Sequence, residues 1–291
     1  MNRMLKTTMR RAAAICLLCA ILTLACGCLT PPETQEPIPP AGQGYLYETM
    51  TYTYKTDASA FLSDIATGMS GDYLMLINKQ HPLTAATDPT KAGYPLEGMV
   101  ELTGQITKSG LKLEGRAARA LYAMLAEMRA DGVTDIYVTS AYRSEAYQTT
   151  LFNNYFNIER STISDEAVAF FGVEYIQTTY RNHGLTKLSE EDARAVANFY
   201  SALPGQSEHH AGLAVDFVDS TLNLDAFVYT QAFAWLSQNA YRFGFILRYP
   251  EGKESVTGYC YEPWHFRFVG REAATEMHFR GLTLEEFLGV A

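Results

Sequence analysis

His209, Asp216 and His265 bring two imidazoles and a carboxylate into two short stretches of the chain. These are Ser207-Glu208-His209-His210-Ala211-Gly212-Leu213-Ala214-Val215-Asp216 and Glu262-Pro263-Trp264-His265. Zinc held by three protein ligands of these types keeps a fourth position for water, which is the catalytic rather than the structural arrangement. Glu262, three residues before the last histidine, is a carboxylate able to take that water's proton. The chemistry these residue types support is metal-dependent hydrolysis.

Alone, either histidine would suit a surface position or a satisfied place in the core, and it is the neighbours that give them weight. His209 follows a Pro204-Gly205 loop and precedes Gly212, so the backbone can turn sharply around it. Asp216 lies in the apolar run Leu213-Ala214-Val215-Asp216-Phe217, where a carboxylate is costly unless paired or coordinated. Along 264–268, strand alternation puts Trp264, Phe266 and Phe268 on one face and His265 and Arg267 on the other. Glu262 does not follow from that alternation, because Pro263 interrupts the ladder. Its direction stays open, with a solvated carboxylate as the alternative.

The elements that must position these residues follow from periodicity and caps. Apolar positions Ala117, Leu121, Met124, Leu125 and Met128 predict a helix over 114–130, stopped by Asp131-Gly132. A β-branched strand over 136–139 leads into Ser140-Ala141-Tyr142-Arg143-Ser144, and a helix runs from Ser144 to about Phe156. Residues 159–188 are less regular and suit an insertion or lid. Ser189-Glu190-Glu191-Asp192 caps a helix that Pro204-Gly205 ends. Further strands are predicted over 73–78, 213–218, 244–248, 259–261 and 265–269, and helices over 230–241, 272–280 and 284–288. Helices first, then strands and helices without regular βαβ alternation, predict an α+β domain around a small antiparallel sheet flanked by helices.

The rest of the 291 residues sets the address. Arg3, Lys6, Arg10 and Arg11 precede an uncharged apolar run, the layout of a secretory signal over 1–28. That run is shorter than the about 20 apolar residues a membrane span needs. Leu24-Ala25-Cys26-Gly27-Cys28 resembles a bacterial lipoprotein cleavage box, with Cys28 the favoured lipidation site and Cys26 the alternative. Residues 29–44 hold five prolines and form a semi-rigid spacer, about 50 Å if extended. One folded domain follows over 45–291. Cys260 is the single cysteine after residue 28, which excludes a disulfide framework there. Without the four basic leader residues the formal charge goes from −9 to −13, a poor balance for a nucleic-acid partner.

Three motifs, Ser-x-Tyr-Arg-Ser (Ser140, Tyr142, Arg143, Ser144), Ser-x-His-x-x-Gly-x-Ala-x-Asp (Ser207, His209, Gly212, Ala214, Asp216) and Glu-x-Trp-His (Glu262, Trp264, His265), occur in order. Together they resemble the signature of the zinc D-alanyl-D-alanine carboxypeptidases of the VanY type, with a likeness running from about Tyr73 to the C-terminus. The resemblance implies the hedgehog/D,D-peptidase fold, zinc on His209, Asp216 and His265, and Glu262 as catalytic base. It also implies that Arg143, Gln148, Ser207 and Tyr249 sit at the substrate end. A carboxypeptidase must recognise a terminal carboxylate, and arginine offers a planar fork for one. Ala141 stands where the family often has glycine, His210 matches no family ligand, and 159–188 departs most from short forms of the family.

The resemblance therefore implies removal of the C-terminal D-alanine from peptidoglycan stem peptides, and the leader with its cleavage box puts that chemistry on the extracellular face of the bacterial cytoplasmic membrane. The membrane contact is the lipid anchor alone, and a monomer is the simplest state. The alternatives are an L,D-carboxypeptidase acting on tetrapeptide stems, a dipeptidase acting on free D-Ala-D-Ala, and a cell-wall binding module without catalysis.

Overall fold

The computed structural model of the chain describes residues 52–56 and 71–291. The leader over 1–28, the spacer over 29–44 and Cys28 lie outside the described residues. A short hairpin opens the main body, β1 (Met99–Glu101) pairing antiparallel with β2 (Lys112–Glu114). It delivers Glu114 as the N-cap of α1 (Gly115–Ala130), accepting from the Ala117 amide at 2.8 Å. The apolar stripe of α1, with Leu121, Met124 and Met128 almost fully buried, faces the main core. Each such side chain contributes roughly 1.5–3 kcal/mol on burial.

The central sheet is four-stranded and antiparallel, in the order β3 (Tyr137–Ser140), β4 (Ala214–Val218), β6 (His265–Phe268), β5 (Phe245–Leu247). Every residue of the two central strands is buried. Val215, Phe217, Phe266 and Phe268 fill the face shared with α1 and with α6 (Gln231–Asn239). The opposite face carries Ala214, Asp216, His265 and Arg267, as the period of two requires. Between Val138 and Ser140 the β3–β4 register shifts, so Ser140 comes to pair with Asp216. Such bulges commonly re-aim a side chain beside a site.

Beside the sheet, α2 (Glu145–Ser161), α3 (Asp165–Phe171), α4 (Val173–Thr179) and α5 (Glu190–Tyr200) form a helical layer. It has its own core of Ala167, Ile176, Tyr180, Leu188, Ala193 and Val196. The α2 helix extends beyond the predicted end near 156, and much of 159–188 is helical rather than irregular. The Ser164 hydroxyl caps α3 at the Ala167 amide, 2.9 Å away, a start signal inside a stretch whose apolar spacing is too short to show a period. The chain closes with α7 (Glu254–Thr257), α8 (Arg271–Arg280) and α9 (Leu284–Leu288). This is the expected α+β architecture. No helix among the described residues is long and apolar enough to cross a membrane.

Two predicted strands are absent. Residues 73–78 begin in a 3-10 turn, Gly71–Leu74, and the carbonyls of Tyr73 and Met75 accept from Arg267 Nη2 instead of joining a ladder. Residues 259–261 form a loop between Gly258, left-handed at φ +79°, and Pro263. Their backbone bonds go singly to separate elements, with Cys260 N donating to the Phe199 carbonyl. The β1–β2 pair went unpredicted because three residues per strand show too little alternation.

Candidate active site

Ser207 leads into a 3-10 turn, Glu208–Ala211, that ends at Gly212 in the left-handed region at φ +66°. The left-handed conformation is what favours glycine at 212; a Cβ there would lie 2.5 Å from the end of the Met99 side chain, which is flexible enough to move aside. The turn aims His209 at the polar face of β4. Asp216 on β4 and His265 on β6 are direct cross-strand partners. The ligating atoms of His209, Asp216 and His265 lie within 4.8 Å of one another, all three residues being buried.

The hydrogen bonds around the two imidazoles fix which nitrogen faces inward. His209 Nδ1 lies 2.7 Å from the Ala141 carbonyl, and a carbonyl only accepts, so Nδ1 carries the proton. Its Nε2 then points a lone pair toward Asp216 Oδ2 at 3.3 Å. His265 presents Nδ1 to Asp216 Oδ1 at 3.1 Å and to Glu262 Oε2 at 3.6 Å. His209 Nε2 and Asp216 Oδ1 are buried without a hydrogen-bond partner. Unsatisfied buried groups of this kind are costly, and a divalent cation among them resolves that cost. The donor set of two imidazoles and a carboxylate therefore fits zinc-type coordination.

Charges on the protein tune these groups strongly. Burial opposes ionisation of Asp216, yet His209 and Arg143 outweigh it and hold the carboxyl well below its usual range. Burial lowers His209 to about 4, helped by Arg143. Burial also disfavours the charged form of His265, but Asp216 and Glu208 prevail and raise it to about 9. Burial pushes Glu262 up to about 7 against the pull of His265. A cation bound by these ligands displaces the proton they otherwise share.

One cavity of about 90 Å³ joins most of the predicted residues: Arg143, Ser207, Tyr249 and Glu262 line it together with the three candidate ligands. Glu262 thus faces the cluster, a direction that strand alternation left open. A larger groove of about 250 Å³, between α6 and α8, is lined by none of the candidate ligands nor by Glu262. Arg143 donates from Nε to Ser140 Oγ at 2.8 Å and from Nη2 to Asp216 Oδ2. Gln148 does not line the cavity. It is buried behind the wall, where Nε2 donates to the Ala202 carbonyl at 2.8 Å. His210, which matched no ligand pattern, ties the turn in place: Nδ1 meets the Arg143 carbonyl at 2.7 Å and Nε2 accepts from Gly205 N.

Several site residues escaped the sequence reading. Tyr155, Tyr200 and Trp264 form aromatic walls of the cavity, Tyr155 and Tyr200 edge to face at 5.2 Å. Gln148, Leu151 and Tyr155 recur at helical spacing from the Ser144 cap, a signal that was present. Glu208 also went unassigned. It is buried and bonded to Arg248 Nε and Arg267 Nη1, each at 2.8 Å, while Arg248 makes a bidentate pair with Glu285. Arg248, buried just past the apolar strand β5, and Arg267, inside the apolar strand β6, required such partners.

A family model described as VanY, D-alanyl-D-alanine carboxypeptidase, matches residues 110–271. A D-alanyl-D-alanine carboxypeptidase of Enterococcus faecalis is 37% identical over 217 residues, covering 74% of this chain and 65% of that protein. The chain thus spans just under two thirds of that relative's length. The crystal structure of a mutant of the vancomycin-resistance D,D-pentapeptidase VanY from a VanB-type cassette, in complex with Zn(II), superposes with a TM-score of 0.55. It is 32% identical and covers 75% of this chain and 99% of its own. The LD-carboxypeptidase LdcB superposes with a TM-score of 0.51 at 31% identity, covering 75% and 86%.

Proposed function

This chain belongs to the VanY family of D-alanyl-D-alanine carboxypeptidases, and from that membership we propose that it is a zinc-dependent enzyme removing the C-terminal D-alanine from peptidoglycan stem peptides. One observation carries the reading: His209 Nε2, Asp216 and His265 Nδ1 converge in a cavity that also holds Glu262 and Arg143. A binding module without catalysis would have no use for the base beside the ligands.

When bound, zinc supplies Lewis acidity, lowering the pKa of a water toward about 7 and polarising the scissile carbonyl. Glu262 accepts the water's proton as its oxygen attacks the peptide carbon, then returns that proton to the leaving amine as the C–N bond breaks. Arg143 binds the terminal carboxylate through its guanidinium fork, whose Nε is held by Ser140. Ser207 and Tyr249 complete the polar lining, and Tyr155 and Tyr200 exclude water on the other side. Gln148 acts from behind, holding the 201–202 backbone that forms part of the wall.

The leader over 1–28 and lipidation of Cys28 put the domain over 45–291 on the outer face of the membrane as a monomer, with the spacer over 29–44 as its tether. The basic start, the apolar run and the box at 24–28 support this reading. Cys28→Ala should release the chain from the membrane; continued attachment would leave Cys26 as the anchor.

The likeness to LdcB favours a second reading, cleavage of the L,D bond of a tetrapeptide stem. Mass spectrometry of the products separates the two. Conversion of pentapeptide to tetrapeptide supports D,D cleavage, whereas conversion of tetrapeptide to tripeptide alone supports the L,D reading.

A further inference from the structure

We infer that Glu208 is a positioning residue for the metal centre: its carboxylate commits His265 to ligation through Nδ1 by accepting from Nε2. The inference rests on the metal-centre reading above and extends it to a residue outside the ligand set and the base.

Glu208 is 1% exposed and its two oxygens have separate tasks. Oε1 accepts from both Arg248 Nε and Arg267 Nη1 at 2.8 Å. Oε2 faces His265 Nε2 at 3.6 Å, just beyond hydrogen-bond length, and neither of these buried atoms has a hydrogen-bond partner among the described residues, so each is the nearest group able to satisfy the other. With Oε1 taken by two guanidinium groups, Oε2 is the acceptor left to face the ring. A neutral imidazole facing it must carry its proton on Nε2, which leaves the Nδ1 lone pair turned toward Asp216.

His209 is locked in the opposite tautomer by the Ala141 carbonyl. The two histidine ligands thus differ in their support, one a neutral backbone oxygen and the other a charged side chain. An acceptor of either kind orients the ring, and a carboxylate makes the ligand more basic as well. Glu208 itself cannot swing away. Arg248 is clamped by Glu285 at 2.6 and 2.8 Å, and Arg267 is tied to the Tyr73 and Met75 carbonyls.

The test uses the full chain, zinc-loaded and labelled with ¹⁵N at histidine, read by long-range ¹H–¹⁵N correlation. The expected pattern is two metal-bound imidazoles of opposite tautomer, one bound through Nδ1 and one through Nε2. Two Nε2-bound imidazoles would overturn the role of Glu208 alone, while a chain that binds no zinc would overturn the centre as well. In Glu208→Gln, zinc affinity measured by chelator competition should fall about 10- to 100-fold, with a shift of the Nε2–H resonance on the Nδ1-bound ring. A folded variant with unchanged affinity and resonance would reduce Glu208 to a purely structural residue. Should that variant fail to fold, the wild-type spectrum still decides.

Discussion

Asp216 and His265 stand directly opposite one another on adjacent antiparallel strands, and their side chains meet Oδ1 to Nδ1 at 3.1 Å. The metal geometry therefore depends on strand register. A slip of either strand by one residue would turn its side chain away from the shared face and separate the pair. Both strands are buried along their length, which pins that register. His209 joins from a turn, but its ring is fixed to the Ala141 carbonyl just past β3. The ligand set is thus preorganised by the sheet.

Glu262→Gln should retain zinc and lose hydrolysis. The amide keeps the shape but cannot take a proton, and general-base catalysis is worth about 10²- to 10⁴-fold. Zinc content and kcat measured on the same preparation check this; a variant with both intact would remove Glu262 from the reaction.

Chelation should abolish activity, and added zinc should restore it. Zinc should also raise the thermal midpoint, because a ligand bound only by the folded state stabilises by about 2.7 kcal/mol at a hundred times its Kd. Differential scanning calorimetry with and without chelator reads this directly, and superimposed curves would count against a metal held by His209, Asp216 and His265.

The acid limb of kcat/KM should rise with pH. Burial pushes Glu262 up to about 7, and a base works only when deprotonated, so activity increases as pH climbs toward that value. A neighbouring cation pulls the carboxyl down, placing the midpoint at about 7 or lower. Rates at constant zinc occupancy between about pH 4.5 and 8 check the sign; activity falling across that range would contradict it.

Arg143→Lys should weaken recognition of the terminal carboxylate by about 1.5–3 kcal/mol, since a point charge replaces the fork. The loss should disappear with a substrate whose C-terminus is amidated. Equal losses on both substrates would assign Arg143 to holding Asp216 instead.

Arg248→Met should destabilise the fold by about 3–5 kcal/mol, because it removes the ion-pair partner of buried Glu285 and leaves Glu208 with Arg267 alone. Denaturant titration of wild type and variant measures it, and a change under about 1 kcal/mol would show that the network is solvated.

Much of the site was legible from residue types. A carboxylate in the apolar run 213–217 announced a partner, and the alternation at 265–268 put His265 on the polar face. The direction of Glu262 was not legible, because it depends on a loop whose backbone bonds to the Tyr249 carbonyl across the chain. Nor was the place of Gln148, whose wall position is set by packing of α2 against α5. The strand predicted at 73–78 failed for a similar reason. Its local pattern was overridden by Arg267, a residue nearly two hundred positions away that takes its carbonyls.

The most direct measurement is release of D-alanine from a pentapeptide stem by the full chain at one zinc per molecule, with and without chelator. The account predicts release that stops on chelation and returns with zinc. No release from either a pentapeptide or a tetrapeptide stem at full zinc occupancy would contradict it.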